Sequence, residues 1–299
     1  MLTIHTDTVI HCMSRENPPV ASIRSGDTLC FETLDCYSGQ ITREDQPLNT
    51  VDWRRINPAT GPVYVEGAEP GDILKVEILD IRLARQGVMV DGPGRGVTGR
   101  ALTEQTIKIF PISDGQLVFN DTLSFPLRPM IGVIGTAPAG AGVDTGTPGA
   151  HGGNMDCALV GIGAVLYLPV NVEGALLALG DLHARMGDGE VAVCGVETGG
   201  TVTVRVTVVK DETLPVPFLI HDHIAAAICS AKKLDDAAVD AAMAMHRFLT
   251  GQLGMDPHEA GRLLSIAGNL RICQVVDPLK TCRMEIPMDI PAAYGWQCF

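Results

Sequence analysis

The sequence has few aromatic residues, only 4% of the chain, so its core has to be filled mainly by Val, Ile, Leu, Ala and Met. It has no surplus of positive charge. Lys and Arg number 22 against 35 Asp and Glu, a formal net charge of −13. A surface this acidic repels a phosphate backbone, which argues against nucleic-acid binding. No apolar stretch has the length of a membrane span; the runs at Ala175–Leu179 and Ile224–Cys229 are short and interrupted. The opening Met1-Leu2-Thr3-Ile4-His5 lacks a basic region followed by an apolar one, so no secretion signal is read there and a cytoplasmic location is expected. Nine cysteines are present and none form a CxxC pair. That argues against a zinc ribbon or a thioredoxin-type site and suits reduced thiols. The GxxxxGK[ST] phosphate loop and the GxSxG nucleophile elbow are both missing. Gly94-Arg95-Gly96-Val97-Thr98-Gly99 nominally fits GxGxxG, but Gly92-Pro93 precedes it where a dinucleotide site needs a strand. It reads as a flexible loop near the mouth of a site.

What is present is a sequence of ordinary globular balance, 46% hydrophobic and 19% charged, with no long disordered segment expected. Residues 1–299 read as one unit, or as two intertwined β subdomains. Short β-branched runs bounded by Gly, Pro, Asn and Asp predict strands at Val63–Val65, Ile73–Leu79, Thr106–Phe110, Val160–Leu168, Glu190–Val193 and Val202–Val209. Gly26–Asp35 resembles Gly71–Asp80, each a Gly-Asp turn launching a strand. That is either a duplication or common turn chemistry. Helical signals come late, as a pair over about 235–267. In the first helix Ala238, Ala241, Ala242, Met245, Phe248 and Leu249 share a face; in the second, Asp256 is the N-cap and Pro257 the first helical residue. Strands return over Leu270–Val276 and Arg283–Ile286. The fold class is mainly β with a minor α-helical segment near the C-terminus, and βαβ alternation is missing.

Chemistry-bearing residues are densest between 144 and 197: Asp144, His151, Asn154, Asp156, Asp181, His183, Asp188, Glu190 and Glu197. They are set in apolar, Gly-rich sequence, where a carboxylate is costly unless paired or bound to a cation. Asp181 and His183, two apart on a strand, face one way at roughly 6–7 Å along the backbone and can converge on one ion. Asp156 and Glu197 could join them from neighbouring strands. A His/carboxylate set suits zinc or a similar divalent ion, although an Asp-x-His spacing on a strand is more often a surface pair or a buried hydrogen-bonded pair than a metal site. Asp188 and Glu190 most simply form a hairpin turn, with Glu190 also placed to act as a general base. His221-Asp222-His223 reads as a polar loop or strand end. Cys157 opens an apolar run and reads as a small core residue rather than a nucleophile.

At this cluster the sequence resembles the acetamidase/formamidase family. The resemblance rests on Glu32–Asp35 with Gly39-Gln40-Ile41, Asn57–Val65, Ala68–Asp72 and Ile131–Gly135. Its most specific blocks are His151-Gly152-Gly153-Asn154-Met155-Asp156 and Gly180–Glu190, followed by Gln274–Pro278. It implies a fold with jelly-roll-like and β-barrel-like parts and a divalent metal, zinc in some members. It also implies hydrolysis of small aliphatic amides to carboxylate and ammonia, in homodimers or higher homo-oligomers. Carried over by that resemblance, Asp156, Asp181, His183 and Glu197 are metal ligands, and Asp35, Gln40 and His151 line the substrate site. Glu190 or Glu197 is the general base, and Asn154 or a loop N–H steadies the oxyanion. Met186 stands where the family commonly has Gln, which implies a more apolar pocket. Two other readings remain open at this point: a lactam or other cyclic-amide hydrolase, and a non-catalytic β-sandwich that binds a metal or small ligand.

Overall fold

The computed structural model describes residues 1–299 and consists of two large, mostly antiparallel sheets with three helices late in the chain. One sheet has nine strands. Its third strand from one edge, Gly200–Val209, pairs with Thr28–Thr33 on one side and Ile73–Leu83 on the other. The two similar Gly-Asp turns of the sequence thus launch the two strands flanking Gly200–Val209. Beyond Ile73–Leu83 the sheet continues through Val165–Pro169, Phe218–His221, Ile224–Ala231 and Lys280–Pro287 to Asn269–Gln274 at its edge. The other sheet has eleven strands. Its middle is Leu177–His183, paired with Met130–Gly135 on one side and with Ala59–Glu66 and Glu197–Thr198 on the other. Neither sheet closes into a barrel; they pack face to face as open layers.

Between the sheets lies a cluster of 32 buried residues, and Phe31 is its one aromatic. Aliphatic side chains fill the layer, as the scarcity of aromatics requires. The pleat decides who enters it: Leu166 and Leu168 point into this layer, while Tyr167 points to the other face of the nine-stranded sheet. On that other face sits α1 (Leu234–Gly251), which buries Ala237, Ala241, Ala244, Met245, Phe248 and Leu249. The stripe is displaced by one residue from the expected face, since Ala237 and Ala244 are buried and Ala242 is not. Five of the few aromatics gather here: Phe218 lies against Phe248, which meets Trp296, which meets Phe299 and through it Tyr167. Then follows α2 (Pro257–Ala267). It starts where the sequence predicts, with the Asp256 carboxylate accepting from the backbone N–H groups of His258 and Glu259. The short α3 (Asp289–Ala293) was not signalled.

Two predicted strands change. Only Val165–Pro169 of the run beginning at Val160 is extended, because Val160–Ala164 makes turns. Glu190–Val193 is a turn, with Glu190 at φ +45° and Val193 at φ +83°. No helix is long and apolar enough to cross a membrane.

Candidate active site

Along Leu177–His183 every residue is buried. Leu177 and Leu179 point into the layer between the sheets, as alternation demands, but so does Leu182. The parity flips between them, at Asp181, whose backbone sits at φ +57°. A regular strand would have driven Asp181 and His183 into hydrocarbon beside Leu177 and Leu179. The left-handed residue turns them out together instead. They do converge, but through this irregularity and not through the regular strand that the sequence implied. Opposite, on Met130–Gly135, the same flip separates Ile131 from Ile134, both in the inter-sheet layer. Gly132 lies at the centre of that flip. A Cβ there would strike Asp181 Oδ2 and Asp156 Oδ1, so only glycine leaves room for the two carboxylates.

Other elements bring the remaining groups to the same point. Glu197 is the register partner of His183 on the adjoining strand. Asp156 (φ +43°) follows Gly152–Asn154, the strand paired to the far side of Met130–Gly135. Glu190 is held by Gly195, whose N–H donates to Oε1 at 3.0 Å. Around His183 Nε2 the carboxylates then stand at 3.0 Å (Glu197), 3.8 Å (Asp156 and Asp181) and 3.9 Å (Glu190). The Glu197 approach is off the N–H direction, so it is not a hydrogen bond. Three of these carboxylates occupy left-handed backbone, a concentration of strain typical of functional sites.

Sequence reasoning did not single out Asp277. It comes from a loop shaped by the fully buried Gln274, which accepts from the N–H groups of Val276 and Asp277 and donates to Leu279 O. Asn154 Nδ2 donates to Asp277 Oδ2 at 3.1 Å. Its place in Gln274–Pro278 was the available signal, but nothing in the spacing tied that block to residues 151–197. Cys36 also reaches the site, grouped with Asp181 and Glu197. Its thiol donates to Asn57 Oδ1, and burial pushes its pKa well up, so it stays protonated.

These groups close one end of a cavity of about 120 Å³, below the roughly 300–1,000 Å³ of pockets for drug-sized ligands. Asn154, Asp181, Glu190, Glu197 and Asp277 form its acidic end, and Tyr37, Trp53, Ile56 and Val90 its walls. Arg95, from the GxGxxG-like loop, lines its partly exposed end with Trp53 and Ile56.

Three expected lining residues fall outside this cavity. Gln40 spends its amide on Tyr37 O, Asp52 O and the Asp52 N–H. Asp35 accepts from the Gly39 N–H. His151 packs against Gly149 and Gly153. Met186 is also elsewhere, buried with Met130 and Ala158, and so does not make the cavity more apolar. His221 and His223 lie at a strand end and the turn after it, away from the site.

The electrostatics ask for a cation. Nine buried side-chain polar atoms in the chain have no hydrogen-bond partner, and six are here: Asn154 Oδ1, Asp156 Oδ1, Asp181 Oδ1, both His183 nitrogens and Glu197 Oε2. No Lys or Arg ion-pairs with Asp156, Asp181, Glu190 or Glu197. Burial raises Asp156, Glu190 and Glu197 well above the usual carboxylate range, and neighbouring carboxylates add to the shift: Asp277 for Asp156, Asp156 for Glu190 and Asp181 for Glu197. Asp277 is pushed up in the same way, chiefly by burial. So many anions cannot ionise together without a positive centre. One imidazole nitrogen with several carboxylate oxygens fits zinc or a similar divalent ion, and Asp156, His183 and Glu190 already bring one donor atom each within 4.8 Å. His183 Nδ1 has no hydrogen-bond partner; the ring is held by Gly195, where a Cβ would come within 2.6 Å of it.

Comparison with known proteins identifies a family and related folds. The sequence model of the acetamidase/formamidase family matches residues 8–145 and 139–292. The crystal structure of an acetamidase from Bacillus halodurans is 50% identical with a TM-score of 0.97, covering 99% of this chain and 100% of that one. A formamidase of Methylophilus methylotrophus is 26% identical over 253 residues, 65% of this chain and 62% of its own length. An acetamidase of Mycolicibacterium smegmatis is 28% identical over 259 residues, with 64% of each chain covered. The match therefore spans less than two thirds of these two relatives.

Proposed function

Because the chain belongs to the acetamidase/formamidase family, we propose that it is a metal-dependent amidohydrolase that splits small aliphatic amides, acetamide and formamide among them, into carboxylate and ammonia. The observation that carries this reading is the set of buried, unpartnered donor atoms around His183 Nε2 at the acidic end of a small cavity. Asp156, Asp181, His183 and Glu197 would hold a divalent ion, with zinc the best match to the donor set. Such an ion, when bound, supplies polarisation of a carbonyl and a water of lowered pKa.

The chain's own groups do the rest. The Gly195 N–H fixes Glu190 Oε1, leaving Oε2 to take a proton from water and return it to the leaving nitrogen. Glu197 sits closer to His183 and suits a ligand better than a base. Asn154 changes role from the sequence expectation. Its Nδ2 is committed to Asp277 and its Oδ1 is unpartnered, so it is placed to accept an N–H from the substrate amide and orient the head group, not to donate to an oxyanion. The small cavity excludes bulky acyl groups. Nine unpaired cysteines suit a reducing compartment, so a cytoplasmic location belongs to the same proposal, as does the homo-oligomeric state that the family resemblance implies.

The test is ammonia release from acetamide, formamide and a γ-lactam by protein as purified, after chelation, and after zinc is restored. Loss on chelation and recovery with zinc is the expected result for the linear amides. Silence from folded, zinc-supplied protein on all of them would overturn the reading.

A further inference from the structure

One cavity group has no part in the chemistry above. Among the lining residues Arg95 is the single cation, in the same cavity as Asp181, Glu190, Glu197 and Asp277. Its guanidinium carbon lies 4.4 Å from the centroid of the Trp53 ring. A cation held over an aromatic face in this way spends none of its N–H donors on a hydrogen-bond acceptor. Its Nε is buried without an acceptor, and none of the chain's ion pairs includes Arg95. A planar fork of donors without an acceptor is the natural receptor for a carboxylate.

Nor is Arg95 on a loose tether. Glycines flank it, and Gly96, at φ +58°, sits so close to the turn at Val191–Val193 that a Cβ would come within 2.6 Å of Val191 O and 2.7 Å of Val193 N. The Val97 N–H donates to Val191 O at 2.8 Å. The loop carrying Arg95 is thereby fastened to the turn that follows Glu190, and the acidic end and the guanidinium are set by one piece of structure. Tyr37, Ile56 and Val90 supply an apolar wall.

We propose that Arg95 binds a carboxylate on the acyl side of the substrate, so that the preferred substrates are short amides with an anionic tail. The amide lies at the carboxylate end that would hold the ion, and the tail lies at Arg95, the one cationic side chain lining the cavity. The position of the amide head rests on the hydrolase reading. The preference of Arg95 for an anion does not, and can be measured without turnover.

The experiment compares zinc-supplied wild type, Arg95→Met and Arg95→Lys. Turnover is measured on malonamate and on its uncharged isostere isovaleramide, and calorimetry measures the binding of malonate and acetate. In wild type kcat/KM should favour malonamate by at least about tenfold, and the ratio should fall towards one in Arg95→Met. Arg95→Lys should fall between, because an ammonium lacks the planar fork. Malonate should bind wild type at least about tenfold more tightly than it binds Arg95→Met, while acetate should not distinguish them. A structural role for Arg95 would lower both activities together and leave the ratio unchanged, which would overturn the proposal. So would a wild-type enzyme indifferent to the tail, an outcome that needs no variant to fold. If both amides are cleaved without preference, Arg95 is wrongly assigned and the hydrolase reading stands. If neither is cleaved but malonate still distinguishes wild type from Arg95→Met, the anion site stands and the hydrolase reading falls.

Discussion

At Asp181 the backbone takes φ +57°, a conformation that costs most L residues about 1–2 kcal/mol and that Asp tolerates better than most. The turn-out brings Asp181 and His183 together beside Asp156 and Glu197 and spares the inter-sheet layer a buried charge. Gly132 is the other half of the device. Gly132→Ala adds a single methyl group, yet that methyl falls on Asp181 Oδ2 and Asp156 Oδ1. The variant is expected to fold, because the rest of its strand is unchanged, and to retain far less zinc than wild type after gel filtration. Metal content by elemental analysis checks this, and equal zinc in the two proteins would refute the placement. His151 offers a test unrelated to the metal. Burial lowers its pKa from 6.5 to about 4 and its Nε2 has no partner. The unfolded chain therefore binds a proton between those values that the folded chain refuses. Stability from this residue is complete above pH 6.5 and is lost as pH falls towards 4, by about 3 kcal/mol in all. Denaturant titrations from pH 7 to pH 4 should lose less stability in His151→Gln than in wild type. Residue types were enough to bring Asp156, Asp181, His183, Glu190 and Glu197 forward, because carboxylates in Gly-rich apolar sequence need a reason to be there. The left-handed turn at Asp181 was not legible, since aspartate at that angle leaves no pattern in sequence.

At the scale of elements, Val202–Val209 and Ile73–Leu79 were legible because long β-branched runs bounded by turn residues favour strands where one face is buried. Glu190–Val193 carries the same signal and is a turn instead. Val193 at φ +83° is conformationally costly. Tertiary structure overrides propensity there, because Gly195 must reach Glu190 and the Arg95 loop must dock on Val191. The helical pair was legible from caps and periodicity, and the two helices should respond differently to mutation. Phe248 is fully buried against Phe218 and Trp296, so Phe248→Ala should cost about 3–5 kcal/mol. Asp256 is a capping residue at the surface, and Asp256→Ala should cost about 1 kcal/mol. Chemical denaturation of both variants checks the ranking. A smaller loss for Phe248→Ala than for Asp256→Ala would mean that α1 is not seated on the nine-stranded sheet as described.

At the scale of the whole molecule, the site is assembled from segments that are far apart in sequence: Cys36 and Trp53, Arg95, Asn154 and Asp156, Asp181 to Glu197, and Asp277. Two of these, Asn154–Asp156 and Asp181–Glu197, were close enough to read as one cluster. Trp53, Arg95 and Asp277 were not, because only the stacking of two sheets and the docking of two loops bring them to the same cavity. That assembly predicts a linkage between ion and fold. Anions from strands of one sheet and from separate loops repel one another unless a cation neutralises them, so an ion bound there would favour the folded chain and have no comparable site on the unfolded one. Free ion at 100 times its dissociation constant then adds about 2.7 kcal/mol to stability. For a chain of this size that corresponds to a rise in Tm of roughly 5 °C. Thermal melts after chelation should fall by at least that amount and recover with zinc, and Asp277→Asn should narrow the gap, because one of the repelling carboxyls is gone. A melting temperature indifferent to both chelator and zinc would mean that these carboxylates share protons among themselves and that no ion belongs at their centre.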